Sequence, residues 1–169
     1  CKPNGSLAYP MLAGALLEAG IEVKIFDACV GNEKDDLNEV FYKSTPLDTG
    51  MVRTGTSNER ILEEVKDSDI VGITSIFTHQ ETMVLECAKL IKKAYPNKLI
   101  VSGGVNARNR MQKFFDSGVD IICTSEAEKT IVQIAQVAAT GEDDWDKVPM
   151  IAFINNNKIV RSAALADII

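Results

Sequence analysis

The sequence holds a single histidine, His79, and four cysteines, Cys1, Cys29, Cys87 and Cys123, with no CxxC pair among them. A zinc knuckle or redox dithiol needs such a pair, and a histidine metal site needs more than one imidazole, so neither fits. No apolar run approaches the ~20 residues of a membrane-spanning helix, and no membrane partner is expected. Basic residues are outnumbered: 18 Lys and Arg against 24 Asp and Glu give a formal net charge of −6. A nucleic-acid backbone is recognised by clustered Lys and Arg, so nucleic acid is excluded as a partner. The phosphate-binding GxxxxGK signature is missing, SGGVNA at 102–107 is not a dinucleotide GxGxxG, and no GxSxG elbow occurs. The first ten residues, CKPNGSLAYP, have neither the basic start nor the apolar core of a secretion signal. Cysteines without a CxxC pair and set in apolar periodic segments point to a reducing cytoplasm. A chain that starts with Cys reads as a fragment or a trimmed piece.

What is present is an ordinary globular composition, 46% hydrophobic and 25% charged, arranged in two alternating periods. Residues 7–20 have helical spacing, with Leu7, Met11, Leu12, Ala15 and Leu16 apolar and Gly20 as the stop. Residues 21–28, IEVKIFDA, are strand-like, and 34–44 fit a short helix. Residues 45–57, with Pro46, Gly50, Gly55 and several hydroxyls, read as a loop. Asn58 is a candidate cap for a helix carrying Ile61, Leu62 and Val65. Strands at 69–75, 98–102 and 119–124 then alternate with helices near 79–94, 106–117 and 126–140. VPMIAFINNNKIVRS, 148–162, predicts two short strands around Asn155-Asn156-Asn157.

Repeated βα units predict an α/β fold: a flavodoxin-like, Rossmann-like, doubly wound parallel sheet covered on both faces, with a short C-terminal hairpin. Such a sheet usually begins with a strand that becomes central. This chain opens on a helix, so that first central strand is expected to be missing. Two parts follow, an α/β domain over 1–148 and a hairpin with the start of a linker over 149–169.

Ligands bind such sheets at the carboxyl ends of the strands. Those ends read Asp27-Ala28-Cys29, Thr74-Ser75-Ile76-Phe77-Thr78, Ser102-Gly103-Gly104 and Thr124-Ser125-Glu126. All are rich in small or polar residues, which let a ligand approach the backbone and hydrogen-bond to it. Turns of this kind also use Gly, Ser and Thr as caps, so any single one has a purely structural reading. Four together form a candidate site.

In order and spacing these segments resemble the cobalamin-binding N-terminal domain of cobalamin-dependent radical S-adenosylmethionine enzymes. Residues 4–28 look like that family's opening helix and second strand, 69–78 its next strand and hydroxyl turn, and 100–107 its Gly-Gly turn. Residues 119–134 resemble the strand and helix usually joined by GEGE, here Ser125-Glu126-Ala127-Glu128, and 162–169 look like the exit toward a catalytic barrel. The cobalamin motifs DxHxxG, SxL and GG carry over as follows. Asp27 matches, Cys29 stands in the histidine's place, and Gly31 comes one position early. Thr74-Ser75-Ile76 stand for SxL, and Gly103-Gly104 match GG. Phe77 and Val105 are candidates to pack on the macrocycle. Cys29 implies no lower imidazole from that turn, which leaves His79 and, less favoured, the Cys29 thiolate as alternative metal ligands.

The resemblance implies a cobalamin-binding module and, in its parent, a methyltransferase. The parent's CxxxCxxC is absent from all 169 residues. S-adenosylmethionine and a four-iron four-sulfur cluster are therefore expected only in a separate radical catalytic domain, the module's own partner. This chain alone is not expected to be an enzyme. Two other readings stay open, a receiver-like signalling or interaction module and a small-molecule phosphate-binding α/β domain.

Overall fold

The computed structural model of the chain describes residues 7–47, 50, 52–142 and 144–162. Helix α1 (Ala8–Glu18) is followed by residues 21–26, which run without a ladder partner, and by a single helical turn, α2 (Leu37–Val40). Strands β1 (Ser44–Pro46) and β2 (Val52–Thr54) form a small antiparallel pair. Helix α3 (Asn58–Val65), strand β3 (Ile70–Thr74), helix α4 (Glu81–Ala94) and strand β4 (Leu99–Gly103) come next. Two short helices, α5 (Val105–Asn109) and α6 (Met111–Phe115), lead to β5 (Ile121–Cys123) and α7 (Glu128–Thr140). The hairpin β6 (Ile151–Asn155) and β7 (Lys158–Arg161) ends the described chain.

The main sheet has the order β3-β4-β5-β6-β7. The first three strands are parallel, and β6 and β7 join antiparallel. The doubly wound α/β expectation therefore holds, with helices on both faces. Successive strand residues point to opposite faces, so each strand feeds two cores. Val71, Ile100, Ile122 and Ala152 meet Ile61, Ala88, Ile91, Ala107, Phe114 and Phe115 from α3 to α6. Val101, Ile121, Cys123, Ile151 and Phe153 meet Ile134 of α7 and Val148. Helix α1 packs against α7 on this second face. The hairpin turn has Asn156 and Asn157 at φ 50° and 60°, a two-residue connection that matches strand twist.

Several expectations change in detail. Residues 21–28 have strand composition, but among the described residues 21–26 lie in no ladder and Asp27 makes only an isolated bridge to Gly31, so they form no strand. The outer edge of β3 likewise has no strand partner among those residues, consistent with a missing central strand. The expected loop at 45–57 contains β1 and β2, whose residues are mostly exposed and carry no apolar alternation to announce them. Ser57, not Asn58, caps α3, accepting from Arg60 N at 3.2 Å. The helix expected at 106–117 is broken at Arg110, whose φ of −126° leaves the helical region. Residues 163–169, the expected exit segment, lie outside the described residues.

Phe114 is fully buried and central to the first core. Phe114→Ala is expected to cost about 3–5 kcal/mol, read as a lower urea midpoint with an unchanged slope.

Candidate functional site

The parallel register places Thr74 beside Gly103, with Cys123 following on the next strand, so three strand ends share one edge. The hydroxyl turn and the Gly-Gly turn are joined there. Ser75 N donates to Gly103 O at 2.8 Å, and Asn106 N donates to Ser75 O at 3.1 Å. Asn106 Nδ2 adds a bond to Ser75 Oγ at 2.9 Å, and Ser102 Oγ donates to Ile73 O at 2.8 Å. Gly104 has φ +99°, and a Cβ there would fall 2.5 Å from Ser75 O. Only glycine allows this approach. Ser75 and Ser102 are each 1% exposed: their hydroxyls are used inside the protein.

Alternation along the strands separates what faces the first core from what faces the second. Val71 and Ile73 pack with the first, and Ile70 with the second, so Gly72 and Thr74 lie on the second face. In β4, Leu99 and Val101 put Gly103 on that same face. A Cβ at Gly72 would meet nothing within 4 Å, and one at Gly103 would meet only Cys123 Cβ at 3.9 Å. Gly72 and Gly103 therefore leave two positions of this face without a side chain, flanked by Val101 and Thr74. Ile76, Phe77, Thr78, Gly104 and Val105 are exposed on the turns around it. Ser125 and Glu126 are also exposed, next to Thr124, whose carbonyl accepts from Arg108 Nη1 at 3.3 Å.

The turn at Asp27 is built differently. Asp27 Oδ1 accepts from Cys29 N at 2.8 Å, and Gly31 N donates to Asp27 O at 2.7 Å. Thr56 N reaches Ala28 O at 2.8 Å. Cys29 is half-buried. Burial and, after it, the nearby Asp27 carboxylate push its thiol pKa up. His79 is exposed and stacks on Phe77, with ring centroids 5.5 Å apart.

Sequence reading missed Glu81. It is buried at the start of α4, with Lys113 Nζ 3.1 Å from Oε1 and Arg110 Nε 3.0 Å from Oε2. The Arg110 approach lies outside hydrogen-bond geometry, so Oε2 has an ion pair but no aligned donor. Burial alone would raise the Glu81 pKa, but the Lys113 bond and the two cations outweigh it and hold the carboxyl below its usual range. Its partners lie about 30 residues away, so no local spacing announces the cluster. A separate concavity, lined by Asp69, Tyr95, Lys98, Leu99 and Trp145, sits at the opposite edge, where the strands begin. Among the described residues no group of three His, Cys, Asp or Glu could hold a metal ion, and no helix is long and apolar enough to cross a membrane.

The B12 binding domain family matches residues 5–135, and the chain belongs to that family. It is 30% identical over 133 residues to cytidylyl-2-hydroxyethylphosphonate methyltransferase from Streptomyces wedmorensis, covering 73% of this chain and 23% of that one. It is 27% identical over 138 residues to the cobalamin-dependent radical SAM methyltransferase TokK from Streptomyces tokunonensis, covering 69% and 20%. The chain thus spans about a fifth to a quarter of these relatives' length. Among solved structures, the radical S-adenosylmethionine methyltransferase TsrM from Kitasatospora setae, with cobalamin and a 4Fe–4S cluster bound, superposes with a TM-score of 0.72 at 18% identity over 97% of this chain and 27% of its own. The cobalamin-dependent S-adenosylmethionine radical enzyme OxsB, with aqua-cobalamin bound, gives 0.72 at 20% identity over 99% and 20%. At these identities the two structures speak to the fold alone.

Two outcomes are expected. Gly104→Ala should destabilise the chain by about 1–3 kcal/mol through backbone strain, measured by urea unfolding. For Glu81 the folded-state pKa is depressed, so its contribution is present above the unfolded carboxyl value of about 4.3 and is lost as pH falls through the folded value. The melting temperature should hold from pH 7 to 5 and drop below about pH 4, and Glu81→Gln should flatten part of that drop.

Proposed function

We propose that this member of the B12-binding domain family holds cobalamin at its strand-end edge and serves as the cofactor module of a radical S-adenosylmethionine methyltransferase. The observation that supports the reading is the open space above Gly72 and Gly103, set among exposed apolar turns, within a stretch matched by the family. A large flat ligand with a tail needs such a surface.

The residues present fit the cofactor. Gly103 and Thr74 would line the slot for the nucleotide tail, with Gly104 fixing the wall by its contact with Ser75. Ile76, Phe77 and Val105, which are 39%, 50% and 51% exposed, would lose apolar surface to water until covered by the macrocycle. The Asp27–Gly31 turn would face the lower side. Cys29, its amide bonded to Asp27, stands where a histidine would, so this turn would offer no imidazole to the metal. When bound, cobalamin supplies a carrier for a methyl group, and the protein supplies binding and orientation. The parent's radical domain, its cytoplasmic location and its substrate belong to the same proposal. The receiver-like alternative needs an acidic group at the end of β3, where Thr74-Ser75 stand, and no acid–base pair accompanies Ser102-Gly103-Gly104 in support of the phosphate-binding alternative.

Titration of the chain with hydroxocobalamin, followed in the visible spectrum, tests the reading. Wild type should bind with a base-off spectrum. Gly103→Leu has room to fold, since its Cβ meets nothing closer than 3.9 Å, and should abolish binding by filling the slot. Cys29→Ala and His79→Ala should bind like wild type. Binding that survives Gly103→Leu but is lost in Cys29→Ala would overturn the assignment.

A further inference from the structure

The Asp27–Gly31 turn follows a segment that no strand holds in place, yet it is closed and ordered by side chains from α3. Arg60 is the centre of this arrangement. Its side chain is 15% exposed and that of Asp35 is 12% exposed. Nε meets Asp35 Oδ1 at 2.9 Å, and Nη2 meets Asp35 Oδ2 at 3.3 Å and Asn32 Oδ1 at 3.2 Å. Nη1 pairs with Glu64 and, more loosely, with Glu63. The guanidinium lies 5.3 Å from the centroid of the Phe26 ring. One side chain thus touches the residue before the turn, Phe26, and those after it, Asn32 and Asp35.

Asp35 carries the contact into the turn itself. Its Oδ2 accepts from Asn32 N at 2.9 Å. Gly31 has φ +74°, and a Cβ there would lie 2.6 Å from both Asp35 Cβ and Oδ2. The carboxylate is pressed flat on the Gly31 backbone, and glycine is required for that closeness. Lys24, on the unpaired segment, pairs with Glu64, which Asn32 Nδ2 also reaches at 3.3 Å. The forked, planar guanidinium is suited to hold several acceptors in fixed directions at once, which an ammonium cannot do.

We propose that Arg60 is a positioning residue for cobalamin: acting through Asp35 and Phe26, it fixes the Asp27–Gly31 turn and so sets the surface presented to the lower side of the macrocycle. The inference rests on the functional reading above. Arg60 touches no cofactor itself. It replaces the order that a strand ladder would otherwise impose on residues 21–31. An ion-pair group of this kind is a weak source of net stability, because desolvation offsets much of the attraction. Its consequence is geometric.

The test combines a readout without cofactor and one with it. Hydrogen–deuterium exchange of the amides of Cys29, Val30, Gly31 and Asn32 should accelerate in Arg60→Met and in Asp35→Asn. Hydroxocobalamin should bind each variant about tenfold more weakly, the loss expected for a charge-assisted hydrogen bond. Arg60→Lys should not rescue either readout, since it keeps the charge and loses the fork. The double variant should lose no more affinity than the larger single loss. Val148→Ala, which opens the second core, is the control for plain destabilisation, with a lower melting temperature and unchanged affinity. If Arg60→Met does not fold, the milder Asp35→Asn decides. Affinity in these variants equal to that of Val148→Ala, or unchanged exchange in the turn, overturns the proposal. A wild-type chain that binds no cobalamin defeats the functional reading instead, and exchange still decides whether the clamp orders the turn.

Discussion

The contact between the Gly104 backbone and the Ser75 carbonyl sets the geometry on which the candidate site depends. The carbonyl accepts from Asn106 N at 3.1 Å and sits 2.5 Å from where a Gly104 Cβ would be. No other residue can follow Gly103 without moving one turn away from the other. With the two turns locked, the ends of β3 and β4 stay level. Alternation then puts Gly72, Thr74 and Gly103 on one face and the apolar anchors Val71, Ile73 and Ile100 on the other. The open space above Gly72 and Gly103 and the first core follow from the same register.

The second candidate segment, the Asp27 turn, is held by charge. Residues 21–26 have no strand beside them among those described, and the Asp27 turn depends on Arg60, Asp35, Asn32 and Glu64, together with the Gly55–Thr56 backbone that meets Ala28. Sheet hydrogen bonds are numerous, short in reach and cooperative. A guanidinium fork is a single point of control. The two segments should therefore differ in how they fail: strand-end substitutions act through strain or lost packing, whereas clamp substitutions act through loosened geometry. Glu81 belongs with the strand ends, since it pairs α4 with Arg110 and Lys113 directly behind the Asn106–Ser75 bonds.

Much of this was legible in the residues. Short apolar runs such as IVGIT and LIVSG, closed by small turns, identified the parallel strands, and Gly103-Gly104 marked the close approach before its partner was known. Asn155-Asn156-Asn157 announced the hairpin because two of these residues accept positive φ. The strand-like 21–28 misled, since composition reports the preference for extended backbone and not the presence of a neighbour. The hairpin at 44–54 was missed because its exposed, polar strands bury no face and so carry no pattern. Ser75 and Ser102 are buried, the hydroxyl of the first bonded to the Asn106 side chain and that of the second to the Ile73 carbonyl. A hydroxyl has the same spelling whether it serves the protein or a guest.

By itself the sequence determined the α/β class, the small and polar strand ends that make up the candidate site and the absence of an imidazole at Cys29, because these rest on local periods and on which residue types are present. Only the tertiary structure decided that Gly72 and Gly103 share one face, that Glu81 is buried between two cations, and that Arg60 holds the Asp27 turn through Asp35. Each of these joins residues distant along the chain. The physical reason is that a period fixes which way a side chain points along its own element, while a contact between elements depends on how those elements pack, and no local pattern encodes that.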